Sequence, residues 1–189
     1  MSERVKIVFT REEMFEMNVE TLKSRGVSIE DIAKVTFDQQ RKYTKDIEFK
    51  TCIESVEKII SFRDTFHYIQ LAVAIDVMAE KKMLPQPLQD IVYQDLGLFG
   101  VDEVMGLDVA GTYGTIGQTN FGDIDVNKPG IVKKLNDDGK EDGVCHTFLD
   151  DIVGAIAAAA STRVAQVMNE SDAHIKEFEL ISLFDQELD

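Results

Sequence analysis

The sequence predicts an all-α fold: a single-domain multi-helix bundle over residues 1–189, with a turn-rich segment that carries an acidic site. Three observations predict it. Neither Gly nor Pro occurs from Val27 to Leu84, whereas eleven of the twelve glycines fall between Gly97 and Gly154. Apolar residues recur at helical spacing through the first stretch and again near the end of the chain. Strand signals are weak, and Val5 to Phe9 is the one short candidate.

The elements follow in order. Thr10 to Glu13 reads as a capping box, and the helix behind it should stop near Gly26. Ser28 to Asp31 opens the next, with Ile29, Ile32, Ala33, Phe37 and Gln40 near helical spacing. Thr51 to Phe62 places Ile53, Val56, Ile59 and Ile60 on one face. Asp64 to Met83 continues with Phe66, Ile69, Ala72, Val73 and Val77. A short helix should follow Pro87, because Pro suits a first helical turn. Another is expected from about Val101 to Asp108. Thr147 to Met168 is the most apolar helix and should be central, its Ala157 to Ala160 run allowing close helix approach. Ser171 to Phe184 reads as a final amphipathic helix, and Asn136 to Gly143 as a polar turn.

The 189 residues carry 20 basic and 35 acidic side chains, a net charge of −15. A nucleic-acid binder needs a basic face to neutralise phosphates, so that class is excluded. Passive adsorption to anionic lipid is disfavoured for the same reason. At 44% hydrophobic content the chain should fold rather than stay disordered. Cys52 and Cys145 make neither a disulfide framework nor a zinc signature. The polar MSERVKIVFT start does not read as a signal peptide. The longest apolar run, Ile152 to Ala160, has nine residues, against the roughly 20 that a membrane span needs. The expectation is a cytoplasmic protein with at most peripheral contact at the inner membrane face.

One local pattern occurs twice. Asp102-Glu103-Val104-Met105-Gly106 and Asp150-Asp151-Ile152-Val153-Gly154 both read acid, acid, apolar, apolar, Gly. Each puts two carboxylates on one helical turn, with a residue lacking a side chain about a turn later, where a neighbour can come close. Two such pentads facing each other would offer four carboxylates to a hard cation such as Mg²⁺. Acidic residues are also favoured at helix N-termini by the dipole, which is the plainer account of the same pairs. Between the pentads lies Asp123-Ile-Asp125-Val-Asn127-Lys128-Pro129. It fails as an EF-hand, because Lys128 stands where Gly is required and Lys134 where Glu closes the loop. What remains is an acid, Asp125, near a cation that could bind phosphate. Gly111 to Gly117 lacks the ending of a P-loop and reads as a flexible turn. His67, His146 and His174 form no zinc spacing. His67 is expected as a satisfied core or partner residue, and His146 beside the second pentad.

The order of these motifs resembles the phosphatidylglycerophosphatase A family, most closely its soluble Firmicute-type branch, the low-temperature-requirement C-like proteins. That family carries Asp-Glu-x-x-Gly, then an Asp followed by Lys-Pro, then Asp-Asp-Ile-Val. Here they are Asp102 to Gly106, Asp125 to Pro129, and Asp150 to Val153. The stretches HTFLDDIVGAIAAAAS and RGVSIEDIAKVTFDQQ also look like the soluble branch, and the resemblance spans roughly residues 20 to 168. It implies a Mg²⁺-dependent phosphatase acting on the phosphomonoester of phosphatidylglycerophosphate. Glu103, Asp150 and Asp151 would hold metal, with Asp102 or Asp125 contributing. Glu103, Asp150, Asp151 and Lys128 would carry the chemistry, Lys128 offsetting charge on the transferred group.

Two other readings stand beside it. One is a non-enzymatic acidic helical oligomer, whose carboxylates form a structural metal site or a partner surface. The other is a phosphatase or pyrophosphohydrolase acting on a soluble phosphoester, although pyrophosphohydrolases favour Glu-x-x-Glu spacing over adjacent acids. Long amphipathic helices and eleven Phe residues lead to the expectation of a homo-oligomer.

Overall fold

A computed structural model describes residues 8–172. Among these residues there are nine helices and no strand. They are α1 (Arg11–Ser24), α2 (Ile29–Gln40), α3 (Phe49–Ile60), α4 (Arg63–Glu80), α5 (Leu88–Tyr93), α6 (Val101–Gly111), α7 (Gly114–Asn127), α8 (Ile131–Asp138) and α9 (Leu149–Asp172). The all-α expectation holds. The possible strand at Val5 to Phe9 is absent at Val8 and Phe9, and its remainder lies outside the described residues. So does the expected last helix beyond Asp172.

The first two helices start where their sequences say they should. Thr10 Oγ1 accepts from the Glu13 amide at 3.1 Å, and Glu13 reaches back to the Thr10 amide at 2.7 Å. Ser28 and Asp31 repeat this reciprocal cap at α2. Such caps satisfy backbone donors that have no partner inside the helix. Gly26 ends α1 with φ +74°, a conformation that glycine adopts without steric cost.

The centre of the bundle is α9. Every residue from Leu149 to Thr162 is buried. The helix packs against α2, α3, α4, α6, α7 and α8. A helix this apolar can satisfy all its faces only by being surrounded. Ala157 to Ala160 are fully buried, as their small size foretells. Polar ties fix its neighbours: Asn120 of α7 donates to Thr162 at 3.1 Å, and Ser161 to Gln40 of α2 at 3.1 Å.

The segment from Gly97 to Gly154 departs from expectation. It is mostly helical, and α7 and α8 lie where turns were expected. The DxDxN string belongs to the last turns of α7, and Gly111 to Gly117 is the tight α6–α7 junction. Several of the glycines serve helix contacts instead of turns. A Cβ on Gly117 would lie 2.1 Å from the Ala110 carbonyl oxygen, and one on Gly106 would lie 2.5 Å from the Phe121 ring. Gly154 faces Ile124 and the same ring. The two pentad glycines therefore seat α6 and α9 against one α7 aromatic, Phe121.

Candidate functional site

Gly100 enters α6 with φ +67°. The helix then turns Val101 and Val104 outward and buries Asp102, leaving Glu103 partly buried. From the start of α9, Asp150 and Asp151 point inward and are buried. Asp102, Glu103 and Asp151 each bring a carboxylate oxygen to one place, all within 4.8 Å of one another. Glu103 Oε2 is buried there with no hydrogen-bond partner. Buried polar atoms are normally satisfied, so an orphan oxygen on one of these carboxylates fits a group of acids able to hold a cation. An all-oxygen, all-acid donor set suits a hard divalent ion.

The electrostatics agree. Burial, then the hydrogen bond and charge of Glu103, push the Asp102 carboxyl well above its ordinary range. Burial and the neighbouring charge of Asp150 raise Asp151, despite the pull of Lys128. Burial also raises Asp150, with Lys128 opposing it. Unaided, the protein holds these acids toward their neutral forms. A bound cation reverses that preference.

Lys128 follows α7 in a left-handed conformation, φ +42°, its amide donating to Ile124 O at 2.7 Å. Its ammonium lies 2.6 Å from Asp125, 3.0 Å from Asp150 and 3.3 Å from Asp151. Burial alone would lower its pKa, but Asp150, Asp125 and Asp151 more than reverse this and hold it charged. The site therefore has two halves. Asp102, Glu103 and Asp151 form the carboxylate trio. Asp150 and Asp125 flank the cation, with Asp151 shared between the halves. Of the four pentad carboxylates, three gather within 4.8 Å of one another, and Asp150 turns toward Lys128.

A cleft of about 310 Å³ opens between α5, α8 and the start of α9. Tyr93, Asp95, Leu135, Lys140 and His146 line it, and Asp150 meets it at the α9 end. Asp150 is the only one of the expected site residues on its wall.

Three residues with no motif to announce them hold this end of α9. Asp76 of α4 accepts from the backbone amides of Phe148 at 3.1 Å and Leu149 at 3.0 Å. Arg25 and Glu80 form a two-pronged ion pair. Glu80 also accepts from the Cys145 amide at 3.0 Å, and Arg25 donates to the Cys145 carbonyl at 2.9 Å. His146 lies 3.2 Å from Arg25 through Nδ1, and burial followed by the Arg25 charge lowers its pKa. His67 is not in the core: it is exposed, against the Phe66 ring. Both cysteines are buried free thiols.

A family model described as phosphatidylglycerophosphatase A matches residues 47–166. The uncharacterized protein YpjQ of Bacillus subtilis is 43% identical over 169 residues, covering 89% of this chain and 94% of the relative. The uncharacterized protein YutG of the same organism is 48% identical over 144 residues, covering 76% and 86%. The crystal structure of the low temperature requirement C protein from Listeria monocytogenes superposes with a TM-score of 0.81 at 43% identity, covering 85% of this chain and 99% of that one.

Proposed function

The chain belongs to the phosphatidylglycerophosphatase A family, and on that premise we propose that it is a Mg²⁺-dependent phosphatase that hydrolyses the terminal phosphomonoester of phosphatidylglycerophosphate. The observation that carries the reading is the carboxylate trio from two helices, together with an unpartnered buried oxygen on Glu103. Asp102, Glu103 and Asp151 would hold the ion. Bound there, Mg²⁺ supplies Lewis acidity toward phosphoryl oxygens and lowers the pKa of a coordinated water.

The chain's own residues do the rest. Lys128 presents a fixed positive charge beside the trio, suited to the charge that gathers on a transferring phosphoryl group. Asp125 and Asp150 hold that ammonium in place. Asp150 touches both Lys128 and the cleft, so it is positioned to take a proton from water arriving through it. Among the described residues no helix is long and apolar enough to cross a membrane. A lipid head group would therefore be met from outside the bilayer.

The test is phosphate release from phosphatidylglycerophosphate in mixed micelles, with Mg²⁺ and with chelator. Glu103→Gln and Asp151→Asn are each expected to abolish a Mg²⁺-dependent release while keeping the helical circular dichroism. Well-folded protein that releases nothing from the lipid but acts on soluble glycerol phosphates would move the substrate into water. No release from either class, with Mg²⁺ still bound, would leave a structural metal site.

A further inference from the structure

The start of α9 has no cap of its own. Leu149 is its first residue, so the capping position falls to Phe148, whose side chain has no oxygen. Thr147 precedes it, but its hydroxyl is turned toward the Val92 carbonyl, to which it donates at 2.6 Å. Phe148 is itself committed, its ring meeting Phe99 edge-on at 5.9 Å, just ahead of α6. These contacts tie α9 to α5 and to the entrance of α6, and leave the first amides of α9 to be satisfied from elsewhere. Asp76 satisfies them. Its side chain is fully buried on the core face of α4, 72 residues away from Phe148 in sequence. One carboxylate oxygen takes the Phe148 amide and the other the Leu149 amide.

We propose that Asp76 is a positioning residue for the carboxylate site: as a borrowed cap from α4 it fixes the first turn of α9, and so sets where Asp150 and Asp151 stand against Lys128, Asp102 and Glu103. The inference rests on the reading of those carboxylates as the metal site. The chemistry favours a carboxylate over any neutral side chain. Two separate acceptors meet two adjacent amides, and an asparagine offers only one. An acidic group also suits a helix N-terminus. Yet Asp150 and Asp151 bring two more acids to the same turn. A third acid at that turn, fully buried and with no cation bonded to it, is a costly way merely to end a helix. Outlying groups that orient ligand-bearing side chains typically change metal affinity by about 10- to 100-fold when lost.

The experiment compares full-length wild type, Asp76→Asn and Ile59→Val, a core change on α3 remote from the site. Melting temperature and Mn²⁺ affinity, the latter read by electron paramagnetic resonance, are measured below every melting transition. Both variants should melt earlier. Asp76→Asn alone should lose about tenfold or more in Mn²⁺ affinity. It should also lower kcat with little change in KM. Equal Mn²⁺ affinities in folded wild type and Asp76→Asn would overturn the proposal. If Asp76→Asn does not fold, hydrogen exchange in wild type decides: the Phe148 and Leu149 amides should be as protected as the interior of α9, and fast exchange would overturn it. If wild type binds no Mn²⁺, the metal reading fails by itself. A crystal structure of Asp76→Asn then tests the placement alone, and a Lys128–Asp150 contact kept at 3.0 Å would overturn it.

Discussion

Lys128 shows how one side chain joins the two halves of the site. Asp150 and Asp151 are both buried, and Lys128 is the cation that reaches them. Removing one partner of a buried pair strands the other, which costs more than the pair itself gains. Lys128→Met keeps the stem and removes the charge. In chelator it should lose about 1–3 kcal/mol by urea denaturation, and Mg²⁺ should restore part of that loss. A variant more stable than wild type in chelator would show that the acids are already neutral without Lys128. The sequence made Lys128 and Asp125 legible as a nearby acid and cation, but not their contact with Asp150, which depends on the left-handed turn after α7. Asp76 was less legible still. A single acid in an apolar helix carries no sign of a partner 72 residues on.

At the scale of elements, the glycines decide which helices can meet. Their clustering was read as turns because local propensity treats a helical glycine as a cost of about 1 kcal/mol. Packing outweighs that cost where two backbones or a ring need the space. Alanine substitutions should therefore rank by the room at each site. Gly117→Ala meets a carbonyl oxygen at 2.1 Å and should be the worst. Gly106→Ala meets the buried Phe121 ring at 2.5 Å and should cost about 1–3 kcal/mol. Gly154→Ala, 3.2 Å from an Ile124 methyl, should cost less. Gly122 has nothing within 4 Å, and Gly122→Ala should stabilise by up to about 1 kcal/mol. Thermal melts of the four variants check the order. Helix existence was legible from capping boxes and apolar spacing. α7 was hidden because its glycines imitate a loop, and α8 because it is only 8 residues long.

Over the whole molecule, the acidic balance makes stability depend on pH and on cations together. Asp76, Asp102, Asp150 and Asp151 all have raised carboxyl pKa values, burial being the largest cause for each. An acid whose pKa is raised on folding binds its proton more tightly in the folded state, so its contribution to stability is lost as pH rises. His146 is lowered and acts the other way, and the lowered carboxyls of Glu13, Glu80, Asp123 and Asp137 do so mainly below about pH 5. Without metal, the melting temperature should fall between about pH 5 and 8. With millimolar Mg²⁺ the decline should flatten, since a cation favours the charged carboxylates. A metal-free melting temperature that rises through that window would refute the account. The net charge and the paired acids were legible as a demand for cations. Which three carboxylates meet was not, because that depends on two helices crossing one ring.

The enclosed position of α9 also has a consequence for synthesis. Helices α2, α3, α6 and α7 all rest on it, and it is the last of the described helices to leave the ribosome. Until then their apolar faces have no common surface to meet, and a nascent chain is exposed to aggregation for most of its translation. The acids of α6 emerge early but have no counterpart until Asp150 and Asp151 arrive. The carboxylate site therefore comes into being only as folding closes, and an unfinished chain holds only the α6 half of its acids.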